Sequence, residues 1–101
     1  VYKRQVEADG FVHDDYRISY LKSHVQQMYE AIEDEVDLIG YIWWGCTDLV
    51  SASTSEMSKR YGFVYVDADD QGNGSFDRSR KDSFYFYKEL IASQGANVLN
   101  D

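Results

Sequence analysis

The residues best suited to chemistry are concentrated in one polar stretch, residues 43–62. It carries a run of hydroxyl groups that includes Ser51, and it closes on Lys59, Arg60 and Tyr61. Lysine supplies a point positive charge, while serine and tyrosine hydroxyls donate hydrogen bonds without adding negative charge. Such a set could hold a phosphate group. Composition alone favours a solvated loop instead, because charged and serine-rich loops usually form only surface.

Length and charge limit the classes of function. The 101 residues make about one small domain, and a net charge of -8 with a pI near 4.5 argues against nucleic acid or an anionic membrane as partner. Any anion site must therefore be local. Cys46 is the single cysteine, so no disulfide forms within the chain, and a cytoplasmic location fits best. His13 and His24 lack ligand spacing, so we expect no metal and no cofactor.

A helix and a buried strand are predicted to precede the polar stretch. Apolar residues at helical spacing predict a helix over residues 16–33, with Asp14 or Asp15 as its N-cap. Residues 38–44 are almost continuously apolar, as expected of a strand covered on both faces in a parallel sheet. A strand of this kind needs parallel neighbours, and the sequence contains no second one.

A hairpin and a second helix are predicted to follow. Residues 63–66 form a short strand, residues 69–74 a turn, and residues 75–78 a return strand. A last helix over residues 81–93 ends at Gly95, and the tail after it is polar and loose. One buried strand between two helices is an incomplete α/β unit. We therefore interpret residues 1–101 as a single partial domain of a larger sheet or barrel.

Several runs of sequence are similar to glycoside hydrolase family 1. Residues 41–54 and 58–67 resemble the last barrel strand and the loop after it, residues 13–24 the penultimate helix, and residues 80–88 the closing helix. The resemblance implies an α/β fold, namely the C-terminal fragment of a (β/α)8 TIM barrel. Its elements would be the penultimate helix, the last barrel strand, a long loop with a hairpin, and the final helix.

The same resemblance suggests a phosphorylated substrate. Ser51 stands where the generic family pattern has a Glu, and Ala52 stands where it has a second Trp. With Lys59 and Tyr61, Ser51 matches the phosphate-binding set of the subfamily that hydrolyses 6-phosphoglycosides. Ala52 favours glucosides over galactosides, and Trp44 would form an aromatic floor under the sugar. The expected partner is thus a 6-phospho-β-D-glucoside.

The catalytic residues implied by the resemblance are missing. Family members are retaining enzymes whose two Glu residues lie in Glu-Asn-Gly and Asn-Glu-Pro motifs, and this sequence contains neither tripeptide. We expect a substrate-recognition part of a 6-phospho-β-glucosidase, with no catalytic residue in this chain. The chain alone should therefore not hydrolyse a chromogenic 6-phospho-β-glucoside. Turnover by the pure chain that responds to substitution of Ser51 or Lys59 would contradict this.

Two further expectations concern partners. The competing function is a non-enzymatic module that binds an anionic ligand or a protein through the aromatic loop. In either case, the exposed edges of the barrel strand would favour self-association of the chain. The aglycone and the oligomeric state of a whole enzyme have no signal in the sequence.

Overall fold

A computed structural model describes residues 6–99 of the chain. The first five residues of the predicted N-terminal loop lie outside this range. The elements in chain order are α1 (Asp15–Glu33), a single 3₁₀ turn (Met57–Lys59), β1 (Val64–Val66), β2 (Arg78–Arg80), α2 (Asp82–Ala92) and α3 (Ala96–Leu99). None of the helices in this part of the chain has the length and apolarity needed to cross a membrane.

Helix α1 agrees closely with its prediction. It starts one residue earlier than expected and ends at Glu33, where carboxylates face the negative end of the helix dipole. Leu21 and Val25 from the predicted stripe are buried. Ile32 of the same stripe is 52% exposed, so the last turn of α1 extends beyond the core.

The hairpin is confirmed, but its return strand is displaced. Strands β1 and β2 pair antiparallel, with Val64 opposite Arg80 and Val66 opposite Arg78. Ser75 cannot begin a strand because its backbone N–H and hydroxyl both donate to the carboxylate of Asp67. Residues that we expected in the return strand therefore lie in the turn instead.

Helix α2 packs on α1 to form the main apolar core. This core contains Val25, Leu90 and Val98. Gly95, with φ of +87°, ends the predicted last helix as expected. The loose tail predicted beyond it is wrong for residues 96–99, because they form α3 and place Val98 in the core with 2% exposure.

Residues 38–44 differ most from their prediction. They form no strand in the described structure, and Ile39 and Ile42 are 96% and 94% exposed. The physical reason is the absence of neighbours: the described residues contain one sheet, the two-stranded pair of β1 and β2. The prediction of a strand buried on both faces is therefore wrong for this structure. Self-association through this segment stays a prediction.

The polar loop is closed at its base by a short parallel contact. Thr47 forms a bridge with Val64, and the carbonyl of Cys46 accepts the N–H groups of Phe63 and Val64 at 2.8 and 3.1 Å. Gly62 passes directly against this contact. A Cβ atom at Gly62 would lie 2.3 Å from the carbonyl carbon of Thr47, which is backbone and cannot move aside.

Replacing Gly62 by Ala should therefore destabilise the chain by about 1 to 3 kcal/mol, the usual cost of overpacking. Gly40→Ala is the matched control, since a Cβ atom there meets nothing within 4 Å. It should change the free energy of unfolding by less than about 0.5 kcal/mol. Urea denaturation measures both values, and equal stability of the two variants would contradict the proposed close approach.

Candidate functional site

Asp48 organises the polar loop from inside. Its Oδ1 atom accepts hydrogen bonds from Lys81 Nζ at 2.7 Å and from the Gly62 N–H at 3.1 Å. Its Oδ2 atom accepts from Arg60 Nη1 at 3.2 Å and from the Val66 N–H at 3.4 Å. Asp48 is 5% exposed, so a carboxylate here is tolerable only because four donors surround it.

Lys81 joins this carboxylate to the start of α2. The side chain is fully buried and also donates to the Gly62 carbonyl at 2.8 Å. Burial lowers the pKa of Lys81 from its usual value, and the charge of Asp48 opposes that shift. Removing one partner of a buried ion pair typically costs about 3 to 5 kcal/mol, because the remaining charge is left without compensation.

Arg60 holds the far side of the loop. Its guanidinium donates to the carbonyls of Val66 and Ala68 at 2.7 and 2.8 Å. The residue has φ of +47° and ψ of 81°, in the left-handed region. This conformation costs a residue with a Cβ atom roughly 1 to 2 kcal/mol, so contacts of both its side chain and its backbone must hold it there. Arg60 lies between Lys59 and Tyr61 and therefore affects the direction of both.

A second buried network reaches the loop from α1. Arg17 pairs with the carboxylate of Asp14 and donates from Nη2 to the carbonyl of Arg60 at 2.6 Å. Asp14 in turn accepts the backbone N–H and the hydroxyl of Ser83, near the start of α2. Of the two predicted N-cap residues, Asp14 and Asp15, the structure has Asp14 at the N-cap of α1. Its side chain makes no capping hydrogen bond, because the carboxylate binds Arg17 and Ser83 instead.

Ser51 and Tyr61 meet through their hydroxyl groups. The Ser51 Oγ and Tyr61 Oη atoms lie 3.0 Å apart, so one hydroxyl donates to the other. Ser51 is 1% exposed and is fixed by its N–H, which donates to the Glu56 carbonyl at 2.9 Å. Lys59 is half-buried in the 3₁₀ turn. Ala52 is exposed.

An aromatic groove of about 570 Å³ lies between α1 and the segment before the loop. Trp44 and Tyr61 line it, whereas Ser51, Ala52 and Lys59 are not among its lining residues. The ring of Trp44 is 65% exposed and offers a flat apolar surface. The other residues of the groove are Tyr16, Arg17, Tyr20, His24, Tyr41, Ile42 and Trp43.

Trp43 has a role that the sequence did not indicate. Its indole N–H donates to the carbonyl of Tyr61 at 3.0 Å, and its ring packs on Phe63 with centroids 4.9 Å apart. Trp43 and Arg17 thus bind two consecutive carbonyls, those of Tyr61 and Arg60. No sequence motif links these residues, because they lie on separate elements.

Comparison with known proteins identifies the family of the chain. The sequence model described as "Glycosyl hydrolase family 1" matches residues 1–96. The chain belongs to glycosyl hydrolase family 1. It is 64% identical to a "Phospho-cellobiase" of Klebsiella oxytoca and 59% identical to the "6-phospho-beta-glucosidase AscB" of Escherichia coli (strain K12), over 95% of this chain in both cases.

Solved structures lead to the same family. A "Family 1 b-glucosidase from Thermotoga maritima" superposes with a TM-score of 0.78 and 38% identity over 92% of this chain. The chain spans about a fifth of the length of the proteins it matches: 21% and 20% of the two curated relatives and 20% of the Thermotoga chain. The mixed helix and strand content described above thus represents one part of a family 1 TIM barrel.

His13 connects the N-terminal loop of this family 1 chain to α2. Its Nε2 atom lies 2.6 Å from Asp9 Oδ2, and its Nδ1 atom lies 2.7 Å from Asp82 Oδ2. Hydrogen bonds to these two carboxylates raise the pKa of His13 to about 9. Both ring nitrogens therefore carry protons at neutral pH. Glu7, Asp9 and His13 bring ligand-type atoms within 4.8 Å of one another. In this group, the protonated His13 forms an ion pair with Asp9.

The His13 ion pair should make stability depend on pH. The pKa of His13 rises from 6.5 to about 9 on folding, so its stabilising contribution is complete below pH 6.5 and is lost as the pH rises through 9. We expect His13→Gln to lower the melting temperature most near about pH 6, with the difference from wild type vanishing by about pH 10. Thermal melts across this range test it. A difference that stays constant with pH would contradict the assignment.

Proposed function

We propose that this chain is the substrate-recognition part of a 6-phospho-β-glucosidase, which hydrolyses 6-phospho-β-D-glucosides with retention of configuration. The observation that carries the proposal is the contact of 3.0 Å between the hydroxyls of Ser51 and Tyr61. Lys59 lies in the 3₁₀ turn two positions before Tyr61. Because one hydroxyl donates to the other, one O–H of the pair is left to donate to a ligand, and together with the cation of Lys59 on the same loop it suits a phosphate group.

The charges around the loop support an anion here despite the acidic chain. The carboxylate that lies deepest in the loop, Asp48, is already compensated by Lys81 and Arg60. It therefore adds little repulsion toward a phosphate. A Glu in place of Ser51 would bring an uncompensated negative charge to the position of the hydroxyl. The serine thus favours a phosphorylated sugar over a plain one.

The sugar ring itself would contact Trp44 and Ala52. The exposed indole of Trp44 lies in the same groove as Tyr61 and can stack on the apolar face of a pyranose. Ala52 is exposed next to Ser51 and leaves room where a larger ring would fill space. By the family resemblance, an alanine at this position favours a glucoside over a galactoside. Identities of 64% and 59% to enzymes named for phosphorylated glucosides, against 38% to a β-glucosidase, support the same substrate class.

Hydrolysis requires groups that this chain does not contain. Retaining glycosidases place two carboxyl groups about 5 to 5.5 Å apart, one as nucleophile and one as acid and base. We assign neither role to a carboxylate of this chain, because its sequence contains neither a Glu-Asn-Gly nor an Asn-Glu-Pro tripeptide and the buried carboxylates Asp48 and Asp14 are held in ion pairs. The contribution of these residues is to bind and orient the phosphorylated end of the substrate. Membership of a hydrolase family favours this function over a non-enzymatic binding module.

Binding of glucose 6-phosphate should depend on Lys59. We expect the chain to bind glucose 6-phosphate more tightly than glucose. Lys59→Met should lower the affinity for glucose 6-phosphate by roughly tenfold or more, which is the usual value of a hydrogen bond to a charged group. NMR titration of the chain labelled with ¹⁵N gives both dissociation constants, with the amides of Ser51 and Tyr61 as reporters.

Lys88→Met is the matched control, since it removes the same charge from an exposed position on α2. Its affinity for glucose 6-phosphate should equal that of wild type. Equal binding of the two sugars by the wild-type chain would refute the phosphate site.

A further inference from the structure

Two consecutive backbone carbonyls of the loop, those of Arg60 and Tyr61, accept hydrogen bonds from side chains far away in the sequence. Arg17 donates to the Arg60 carbonyl at 2.6 Å, and Trp43 donates to the Tyr61 carbonyl at 3.0 Å. The left-handed backbone of Arg60 is unfavourable for a residue with a Cβ atom, so it persists only where contacts enforce it. The guanidinium of Arg60 donates to Asp48 and to the carbonyls of Val66 and Ala68. Its own carbonyl accepts from Arg17.

Arg17 is suited to this role by its shape. One nitrogen of its planar guanidinium pairs with Asp14, and the other binds the Arg60 carbonyl. The side chain is 3% exposed, so both contacts are shielded from water. Asp14 is in turn fixed by Ser83. The guanidinium therefore connects a rigid support, formed by α1 and α2, to one peptide of the loop.

We infer that Arg17 is a positioning residue for the phosphate-binding hydroxyls, an inference that rests on the function proposed above. Its grip on the Arg60 carbonyl orients the following residue, so that the Tyr61 hydroxyl lies 3.0 Å from Ser51 Oγ. Arg17 does not touch the phosphate in this scheme. It acts through the backbone, and the charge of its guanidinium is balanced by Asp14.

The Arg17→Lys variant distinguishes a positioning role of Arg17 from an effect of its charge, and its comparison with a control variant distinguishes that role from an effect on stability alone. Lysine keeps a positive charge beside Asp14 but lacks the planar pair of N–H groups that spans two acceptors. Val98→Ala is the control, because it trims a buried side chain in the core of α1, α2 and α3, outside the loop. Both variants should lower the melting temperature. Affinities are compared at temperatures where each is fully folded.

Two readouts test the inference. The three-bond amide-to-Hα coupling and the ¹³Cα shift of Arg60 report its backbone conformation, and NMR titration reports the ratio of affinities for glucose 6-phosphate and glucose. We expect Arg17→Lys to lose the left-handed signature of Arg60 and to reduce that ratio by at least about fivefold, which is the usual net effect of one ordinary hydrogen bond. Val98→Ala should change neither readout.

An Arg17→Lys chain that retains the left-handed signature of Arg60, or a ratio equal to that of Val98→Ala, would overturn the inference. Failure of the proposed function has a different signature. In that case the wild-type chain would bind both sugars alike, while the Arg60 coupling in Arg17→Lys would still decide whether Arg17 orients the peptide.

Discussion

The local structure depends on keeping one carboxylate, that of Asp48, out of water. A buried carboxylate is costly unless its lone pairs are filled, and here they receive two cationic side chains and two backbone N–H groups. These donors come from Arg60, from Lys81 at the start of α2, and from the backbone of the hairpin region. Satisfying this single group therefore requires the loop, the hairpin and α2 to assemble together.

The second network acts on the same loop from the opposite direction. Arg17 on α1 donates to the carbonyl of Arg60, while the guanidinium of Arg60 donates to Asp48. Arg60 is thus the residue at which the two networks meet. The hydroxyl of its neighbour Tyr61 contacts Ser51 without any ligand, so the proposed site would be preorganised. Preorganisation of this kind reduces the entropy lost on binding.

Local patterns in the sequence predicted the elements well and their long-range partners poorly. Helix α1 and helix α2 follow from apolar spacing, and the turn before β2 follows from its Asp and Gly residues. The return strand was displaced because the Ser75 contacts with Asp67 depend on turn geometry, which composition does not encode. The segment 38–44 was read correctly as apolar, but burial depends on neighbouring strands that the described residues do not supply.

In the candidate site, too, the residues on one loop could be predicted and their long-range partners could not. Ser51, Lys59 and Tyr61 could be named from a family resemblance because they lie on one loop, and the hydroxyls of Ser51 and Tyr61 do meet. The sequence did not identify three further residues of the site, because each contacts residues that are distant in the chain: Lys81, Arg17 and Trp43. A buried lysine or arginine carries no local sequence signal that separates it from a solvated one. Only the tertiary contacts reveal that these cations are structural.

Because these ion pairs are buried, they should respond to ionic strength differently from the half-buried Lys59. Dissolved salt screens charges that water can reach, and it has little access to Asp48, Lys81 or Arg17, which are at most 5% exposed. Lys59 is only half-buried, so mobile ions can compete at its ammonium group. Added salt should therefore leave the buried ion pairs of the loop almost unchanged, whereas it would weaken any attraction between Lys59 and an anion bound as proposed.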